Sequence, residues 1–179
     1  KKSFIKNIKI FQPSYSLKIS YKNKVIKKKY WDLKNVSKFN KKLTKNTILK
    51  NIKNAFINSL KIRQRSDVKT ASFLSSGIDS NSIVFFTKKF LNKKLETYSL
   101  FDKKNKYYDE SILIKKVCKK DKIKNFALDV SSLNLEKYLK KITQYYNSPT
   151  FTLNSLLICS LYEKIKSKKT KIMFSGVGS

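Results

Sequence analysis

One short segment of the sequence combines hydroxyl side chains, a glycine and a carboxylate. It follows an apolar run and reads SSGIDS from Ser75 to Ser80. Hydroxyls and approachable backbone N–H groups at a helix start favour a phosphate or pyrophosphate, because the helix dipole and the unpaired amides attract negative charge. Asp79 adds a carboxylate suited to Mg²⁺, which prefers one or two carboxylates together with phosphate oxygens. The alternative is that these residues only cap a helix.

The elements that would position this segment alternate between short apolar runs and helical patterns. The predicted strands are Thr70–Leu74, Leu95–Phe101, Ile123–Val130 and Lys171–Phe174. The predicted helices are Asp79–Leu91, Glu110–Lys120, Leu135–Tyr146 and Leu153–Ile165. Strands separated by helices of this length indicate right-handed crossovers and an α/β fold, a parallel sheet with helices on both faces. Ligands bind such sheets at the carboxyl ends of the strands, so chemistry is expected in the loops after Leu74, Phe101 and Phe174.

The region before this sheet has a different pattern. Pro13–Ile19 and Lys24–Trp31 alternate apolar and polar residues around Lys22-Asn23, which predicts a β-hairpin. Lys41–Arg65 carries apolar residues at helical spacing, with Thr44 or Thr47 as a possible N-cap. We therefore expect a linker hairpin and arm over 1–40 and a nucleotide-binding domain over 41–179. The chain has no Met at position 1 and stops in a loop after a strand, so we expect a fragment of a longer protein.

The net charge of +31 raises the possibility of a nucleic-acid partner. Arg63 and Arg65 are the only arginines, however, and base readout and bidentate phosphate contacts favour Arg over Lys. The excess of Lys, Asn, Ile, Phe and Tyr over Gly, Pro and Ala is typical of A/T-rich coding acting on solvated positions. The composition therefore does not favour a nucleic-acid reader.

Other classes of protein are disfavoured by what the sequence lacks. It has no His, and Cys118 and Cys159 are far apart, which argues against a zinc site and a disulfide framework. We interpret the two cysteines as buried structural thiols in a reducing cytoplasm. No apolar run approaches the roughly 18 residues needed to span a bilayer, so no membrane partner is expected.

The SSGIDS segment resembles the SGG(L/I/V)DS pyrophosphate loop of the N-type ATP pyrophosphatases, which cleave ATP between the α and β phosphates. Its flanks resemble one branch, the asparagine synthetases. Glu96–Leu100 (ETYSL) is similar to their TFSIG strand, and Tyr108–Ser111 matches their YDES. Lys171–Ser179 (KIMFSGVGS) is similar to their VVLSGEGAD strand and loop. Gln12-Pro13 and Lys29–Trp31 look like the PGH…YW linker that follows their glutaminase domain.

This resemblance implies an adenine-nucleotide alpha-hydrolase-like (PP-loop ATPase) fold and an ATP-dependent amidotransferase of the asparagine synthetase type. ATP would adenylate a small carboxylate acceptor, with aspartate as the expected one, and ammonia from a glutaminase domain would convert the product to an amide. The full-length enzyme is a possible homodimer. The residues that the resemblance implies for ATP and Mg²⁺ are Phe73, Ser75, Ser76, Gly77, Asp79, Ser80, Leu100, Ser175 and Gly176, with Asp79 as the metal ligand.

The sequence departs from the family's pattern at three places. Ser76 replaces the first glycine of the pair, which would cost roughly 1 kcal/mol if that residue needs a positive φ. Val177 replaces the Glu of SGEGAD, so the catalytic residue is unknown, and Asn147–Pro149 replaces the family's DEP. The last two departures concern the half of the site that handles the acceptor.

Two alternatives stay open on the sequence alone. An RNA-modifying adenylating enzyme of the same superfamily would use the positive charge for tRNA. A basic binding module would use the serine-rich turn only as a helix cap. Asp109 and Glu110 likewise have two interpretations, as part of the site or as first-turn acids that complement a helix dipole.

Overall fold

The computed structural model describes residues 3–36, 43–105, 107, 109–149 and 152–176. The chain divides into two compact units, Lys1–Ile48 and Leu49–Ser179. This division lies within the helix Lys45–Arg63 and differs by several residues from the boundary expected after residue 40. The assignment of 1–40 as a linker stays a prediction.

The first unit contains the β-hairpin that the sequence predicts. Strands β1 (Tyr15–Ile19) and β2 (Val25–Lys29) pair antiparallel, with Tyr15 opposite Lys29 and Ile19 opposite Val25. Asn23 adopts a positive φ of 54° in the connecting turn, a conformation that Asn tolerates better than most residues. A four-residue helix, α1 (Leu33–Val36), follows the hairpin, and the sequence pattern did not predict it.

Helix α2 (Lys45–Arg63) follows, within the predicted range 41–65. Its N-cap is Thr44, whose Oγ1 accepts a hydrogen bond of 3.3 Å from the amide of Thr47. This bond decides between the two threonines that the sequence offered as caps.

The second unit contains a four-stranded parallel sheet in the order β5-β4-β3-β6. Its strands are β3 (Thr70–Phe73), β4 (Glu96–Phe101), β5 (Asn125–Asp129) and β6 (Ile172–Phe174). Its helices are α3 (Ile78–Leu91), α4 (Ser111–Lys120), α5 (Leu135–Tyr146) and α6 (Leu153–Ser167). All eight elements lie within two residues of their predicted bounds at each end. The predicted parallel α/β sheet is confirmed.

Successive residues of each strand point to opposite sides, so both faces of the sheet carry side chains, and helices cover both. On one face the buried residues are Ala71, Tyr98, Leu161 and Ile165, which places α6 over the sheet. On the other face Leu74 packs with Val84 of α3 and Ile114 of α4. A third apolar cluster joins α5 to α6 through Tyr138, Ile142 and Leu156.

The two cysteines are unpaired and half-buried. Cys118 packs on the Leu74 cluster and Cys159 on the α5–α6 cluster. Burial raises the pKa of both thiols, which makes them less reactive than an exposed cysteine. Both therefore have the packing expected of structural thiols. Within the described part of the chain, no helix has the length and apolar character needed to cross a membrane.

The strand order places a switch in connection direction at β3. From β3 the chain moves outward to β4 and β5, and then returns through α6 to β6 on the other side of β3. In open α/β sheets the crevice at the carboxyl ends of strands beside such a switch is where ligands bind. The loops after β3 and β6 meet at this crevice.

Candidate functional site

The loop after β3 is held by the hydroxyls of its own serines. Ser80 Oγ accepts a hydrogen bond of 3.1 Å from the Ser75 amide and donates one of 3.2 Å to the carbonyl of Gly77. The hydroxyls of Ser75 and Ser80 lie 2.8 Å apart, and Ser75 Oγ also accepts from the Gly77 amide at 3.2 Å. The loop is therefore shaped by side chains of the SSGIDS segment itself.

Asn81 completes this arrangement, and the sequence analysis did not select it. Its Nδ2 donates hydrogen bonds of 2.9 Å to the carbonyl of Ser75 and 2.7 Å to that of Gly77. The signal that was available is an amide side chain in the first turn of a helix, a residue type that often bonds to nearby backbone. Asn81 thus fixes two loop carbonyls.

The start of α3 lacks the side-chain cap that would be expected if the SSGIDS segment served only to cap the helix. Gly77 is the N-cap residue, with extended φ and ψ of −69° and 151°, and no side-chain cap hydrogen bond closes this helix end within the described structure. The positive end of the helix dipole therefore faces the loop without a neutralising group of its own cap. Ser76 is not among the described residues with positive φ, so the strain considered for a serine at this position does not arise.

Gly176, after β6, lies against the first turn of α3. A Cβ placed on Gly176 would lie 2.7 Å from Cβ of Asp79 and 3.2 Å from the amide nitrogen of Ser80. The first distance is too short for a real Cβ atom, so any other residue at this position would force the loop or the helix start to move. The loop after β6 and the first turn of α3 are thus in direct contact, although Gly176 and Asp79 lie 97 positions apart in the chain.

These two loops form one end of a cleft with a volume of about 720 Å³. Eight of the nine residues proposed from the sequence line it, namely Phe73, Ser75, Gly77, Asp79, Ser80, Leu100, Ser175 and Gly176. Ser76 is not part of the lining, although its amide takes part in the contact described next. Val177 lies outside the described residues, as does Tyr108 of the YDES segment.

Glu110 is brought to this site from the start of α4. Its Oε2 accepts a hydrogen bond of 2.8 Å from the amide of Ser76, and it lines the cleft. Glu110 is the N-cap residue of α4 but makes no side-chain cap hydrogen bond there. Asp109 instead accepts from the Ser111 amide at 2.9 Å. The Glu110 side chain is therefore hydrogen-bonded to the loop after β3 and not to the first turn of α4.

The neighbouring strand supports the loop from below. Ser99 in β4 is buried, and its hydroxyl donates a hydrogen bond of 2.6 Å to the carbonyl of Leu74, the residue before Ser75. The amide of Leu74 in turn donates to the carbonyl of Tyr98 at 2.9 Å. Leu74 is thus fixed on both sides of its backbone, which sets the direction in which the loop leaves the sheet.

One wall of the cleft is apolar. Phe73 and Leu100 face residues of α6 that the sequence analysis did not select, which are Leu153, Leu157, Ile158 and Leu161. Phe73 also makes an edge-to-face contact with Tyr162, with ring centroids 5.8 Å apart, and burial raises the pKa of the Tyr162 hydroxyl. These α6 residues carried only a core pattern in the sequence, because a helix lining a cleft and a helix filling a core have the same apolar periodicity.

The acidic groups of the cleft fit a magnesium ion that is shared with phosphates. Asp79, Asp102 and Glu110 all line it. No group of three or more metal-ligating side chains occurs in the described part of the chain, so an all-protein metal cage is not indicated there. Carboxylate oxygens beside a helix N-terminus are what Mg²⁺ uses when phosphate oxygens supply its other ligands.

The sequence of this chain is similar to that of known proteins over most of its length. A family model described as asparagine synthase matches residues 51–179. The chain is 30% identical over 130 residues to a Methanocaldococcus jannaschii protein described as asparagine synthetase (glutamine-hydrolyzing) 2, covering 72% of this chain and 24% of that protein. It is 28% identical over 133 residues to asparagine synthetase (glutamine-hydrolyzing) 1 of Bacillus subtilis, covering 74% of this chain and 20% of that protein. The chain therefore spans about a quarter or less of these relatives.

A solved structure shares the fold at low identity. The U34-tRNA thiolase NcsA of Methanococcus maripaludis superposes with a TM-score of 0.52 and 17% identity, covering 74% of this chain and 46% of that chain. The likeness supports the PP-loop ATPase fold that the strand order and the loop after β3 indicate. The family match covers the whole sheet, both loops of the cleft and Glu110. The chain belongs to the asparagine synthase family.

Proposed function

We propose that the cleft binds ATP with Mg²⁺ and that the complete protein uses it to form an amide bond. An oxygen of the acceptor carboxylate would attack the α-phosphorus of ATP, giving an acyl-adenylate and releasing pyrophosphate. Ammonia would then attack the acyl carbon, form the C–N bond and displace AMP. The acceptor we propose is aspartate, which would give asparagine, with the ammonia derived from glutamine.

The observation that supports this proposal most is the meeting of two loops at the switch point of the sheet. The serine-bonded loop after β3 leads into a helix start without a side-chain cap, and Gly176 brings the loop after β6 against Asp79. A pyrophosphate group fits such a helix start, because the dipole and the first-turn amides favour negative charge. The family match adds a reaction class to this geometry.

The lining residues divide into a polar and an apolar group. Ser75 and Ser80 offer hydroxyls to the phosphate groups, and Asp79 offers a carboxylate to Mg²⁺, which when bound would neutralise phosphate oxygens. Phe73 and Leu100 offer apolar contacts to the adenine ring, and Ser175 and Gly176 approach from the second loop. The cleft volume of about 720 Å³ lies within the ordinary range for small-molecule sites.

The acceptor half of the reaction rests on the family alone. Val177 stands where the family has an acidic residue, and Asn147 has a structural role of its own, as the left-handed C-cap of α5 with φ of 48°. Glutamine-derived ammonia, a homodimer and a cytoplasmic location are part of the proposal for the complete protein. Family membership favours this activity over a tRNA-modifying or a purely binding role, since the likeness to the tRNA thiolase is one of fold.

The experiment that tests the site is Asp79→Asn. Asn caps a helix about as well as Asp, so a residue that only capped α3 would tolerate the change. If Asp79 holds Mg²⁺ beside pyrophosphate, the loss of one full charge abolishes pyrophosphate release in the complete protein while its melting temperature changes little. Pyrophosphate release at saturating ATP and Mg²⁺ and a thermal melt are measured on the same samples.

Asp67→Asn is the matched control. It removes the same charge from the loop before β3, and Asp67 does not line the cleft. We expect its pyrophosphate release to equal that of the wild type. Equal release by the Asp79→Asn protein and the wild type would refute the assignment of the site, and with it the main structural support for ATP use.

A further inference from the structure

The hydrogen bond between Glu110 and the loop after β3 conflicts with phosphate binding as drawn above. The Glu110 carboxylate accepts a hydrogen bond of 2.8 Å from the Ser76 amide, and Ser76 lies in the segment proposed to hold pyrophosphate. A carboxylate and a phosphate oxygen are both anionic acceptors that prefer backbone N–H groups near a helix start. The structure thus has an acidic side chain on an amide of the anion site.

This contact is specific to Glu110. The side chain is hydrogen-bonded to Ser76, which lies 34 positions earlier in the sequence, and not to the first turn of its own helix α4. Lysine is abundant in this chain, yet none of the ion pairs among the described residues includes Glu110 or Asp79. Asp102, which also lines the cleft, is in none of these ion pairs either. Three carboxylates outside these ion pairs therefore line one cleft, and a metal-free polyphosphate entering it would meet their negative charges.

We infer that Glu110 makes the site selective for metal-complexed polyphosphate, by occupying the Ser76 amide until a divalent cation arrives with the ligand. The inference rests on the proposed function. Without the cation, an entering phosphate must replace Glu110 as the hydrogen-bond acceptor of the Ser76 amide and must approach the negative charge of that carboxylate. With the cation, the released carboxylate adds its negative charge to that of Asp79 and favours the bound complex. Free phosphate is kept from the Ser76 amide by the same residue.

The test is the affinity of the complete protein for inorganic pyrophosphate. It is measured by titration calorimetry, first with EDTA and then with Mg²⁺. Glu110→Gln is the variant, because Gln keeps an oxygen acceptor for the Ser76 amide and has nearly the same size. We expect the variant to bind metal-free pyrophosphate about tenfold more tightly than the wild type. We also expect the gain in affinity caused by Mg²⁺ to be at least about tenfold smaller in the variant.

Glu136→Gln is the matched control. Glu136 is exposed in the first turn of α5, pairs with Lys140 at 2.8 Å and does not line the cleft. Its two affinities should equal those of the wild type. A Glu110→Gln protein with the same dependence on Mg²⁺ as the wild type overturns the inference and leaves the proposed function standing. A wild type that binds pyrophosphate under neither condition overturns both.

A second measurement needs no variant and therefore tests the inference even if the Glu110→Gln protein fails to fold. In the wild type, the amide proton resonance of Ser76 is followed by NMR as metal-free pyrophosphate is added until it binds. Displacement of Glu110 must shift this resonance, because the acceptor of the Ser76 amide changes from a carboxylate to a phosphate oxygen. Binding that leaves the Ser76 resonance unmoved overturns the inference.

Discussion

The acidic residue at the amino end of the parallel sheet and the acidic residues of the cleft at its carboxyl end differ in their partners. At the amino end, Glu96 of β4 pairs with Lys69 at 2.6 Å and with Lys124 at 2.8 Å, which connects the starts of β3 and β5. At the carboxyl end, Asp79 and Glu110 line the cleft and take part in none of the ion pairs among the described residues. Glu110 makes its hydrogen bond to a backbone amide.

This difference is informative because the chain has 42 basic and 11 acidic residues. Lysine partners are available almost everywhere on such a surface, so composition does not explain why the acids of the cleft are in none of these ion pairs. Pairing lowers the pKa of Glu96 and stabilises the fold. Unpaired acids in a cleft contribute little to stability and leave negative charge available for a cation. We therefore interpret the amino end as a region that stabilises the fold and the carboxyl end as the proposed binding region.

Gly176→Ala should have the largest effect at the carboxyl end. The added methyl group would lie 2.7 Å from Cβ of Asp79, and backbone atoms of α3 lie 3.2 Å away, so either the loop or the helix start must move. We expect a loss of about 1–3 kcal/mol of unfolding free energy. We also expect at least a tenfold loss of affinity for pyrophosphate with Mg²⁺, since the shift moves Asp79. Urea unfolding and calorimetry measure the two effects.

Gly77→Ala is the control for the stability part of this prediction. A Cβ on Gly77 would meet only the Ser75 hydroxyl, at 3.3 Å, and that side chain can rotate. Its loss of unfolding free energy should be clearly smaller than that of Gly176→Ala. Similar stability losses for the two variants would show that the contact between the β6 loop and α3 is not the tight one.

Glu96→Gln should reduce stability without changing ligand affinity. The hydrogen bonds and charges of Lys124 and Lys69 hold the pKa of Glu96 below its ordinary value of 4.5. Because the folded pKa is lowered, the stabilisation is fully present above pH 4.5 and is lost as the pH falls through the folded-state value. Both lysines are largely exposed, so we expect a loss of about 1 kcal/mol, or about 3 °C in melting temperature.

The difference in stability between wild type and Glu96→Gln should therefore be constant near neutral pH and should shrink below pH 4.5. Urea unfolding at several pH values measures it. Glu96 lies at the start of a six-residue strand, opposite the loops that hold Ser75 and Asp79, and does not line the cleft, so pyrophosphate affinity should equal that of the wild type. A tenfold change in that affinity would contradict the separation of the two ends.

The sequence predicted the parts of this fold that depend on local pattern. Apolar period and segment length placed all four strands and the helices between them, and parallel topology then placed the Ser75–Ser80 loop at the carboxyl end of β3. The same topology indicated the loop after Phe174, and the resemblance to a known family selected Ser175 and Gly176 within it. These inferences needed no knowledge of side-chain contacts.

The contact of Glu110 with Ser76 was not predictable, because it depends on where the loop after β4 brings the start of α4. The same is true of the close approach of Gly176 to Asp79, which joins residues far apart in the chain. The α6 wall was missed because its apolar residues have the ordinary spacing of a core helix. The expected strain at Ser76 was a warning from the family's glycine pair, and the backbone there avoids positive φ.

Tyr98→Phe should have the smallest effect, and it tests the boundary between the two regions. Tyr98 lies in the middle of β4, is fully buried, lines the cleft and stacks on Phe126 with ring centroids 5.2 Å apart. Its hydroxyl has no hydrogen-bond partner among the residues that the structure describes. A buried polar group without a partner carries a desolvation cost of about 1–3 kcal/mol, which Phe removes while keeping the stack. We therefore expect a change in unfolding free energy between zero and a gain of about 1 kcal/mol, measured by urea unfolding.

Tyr138→Phe is the matched control, because the Tyr138 hydroxyl donates to Glu163 at 2.8 Å, and burial, together with that carboxylate, raises its pKa to about 12. Removing that hydroxyl should cost about 1–2 kcal/mol, so the two Tyr→Phe variants should change stability in different directions. If Tyr98→Phe loses stability like the control, its hydroxyl has a partner such as buried water. If it keeps stability but loses pyrophosphate affinity, the hydroxyl serves the ligand and the binding region extends into the middle of the sheet. If the Tyr98→Phe protein loses neither stability nor pyrophosphate affinity, Tyr98 belongs to the core, and the binding region ends at Ser99 and Leu100.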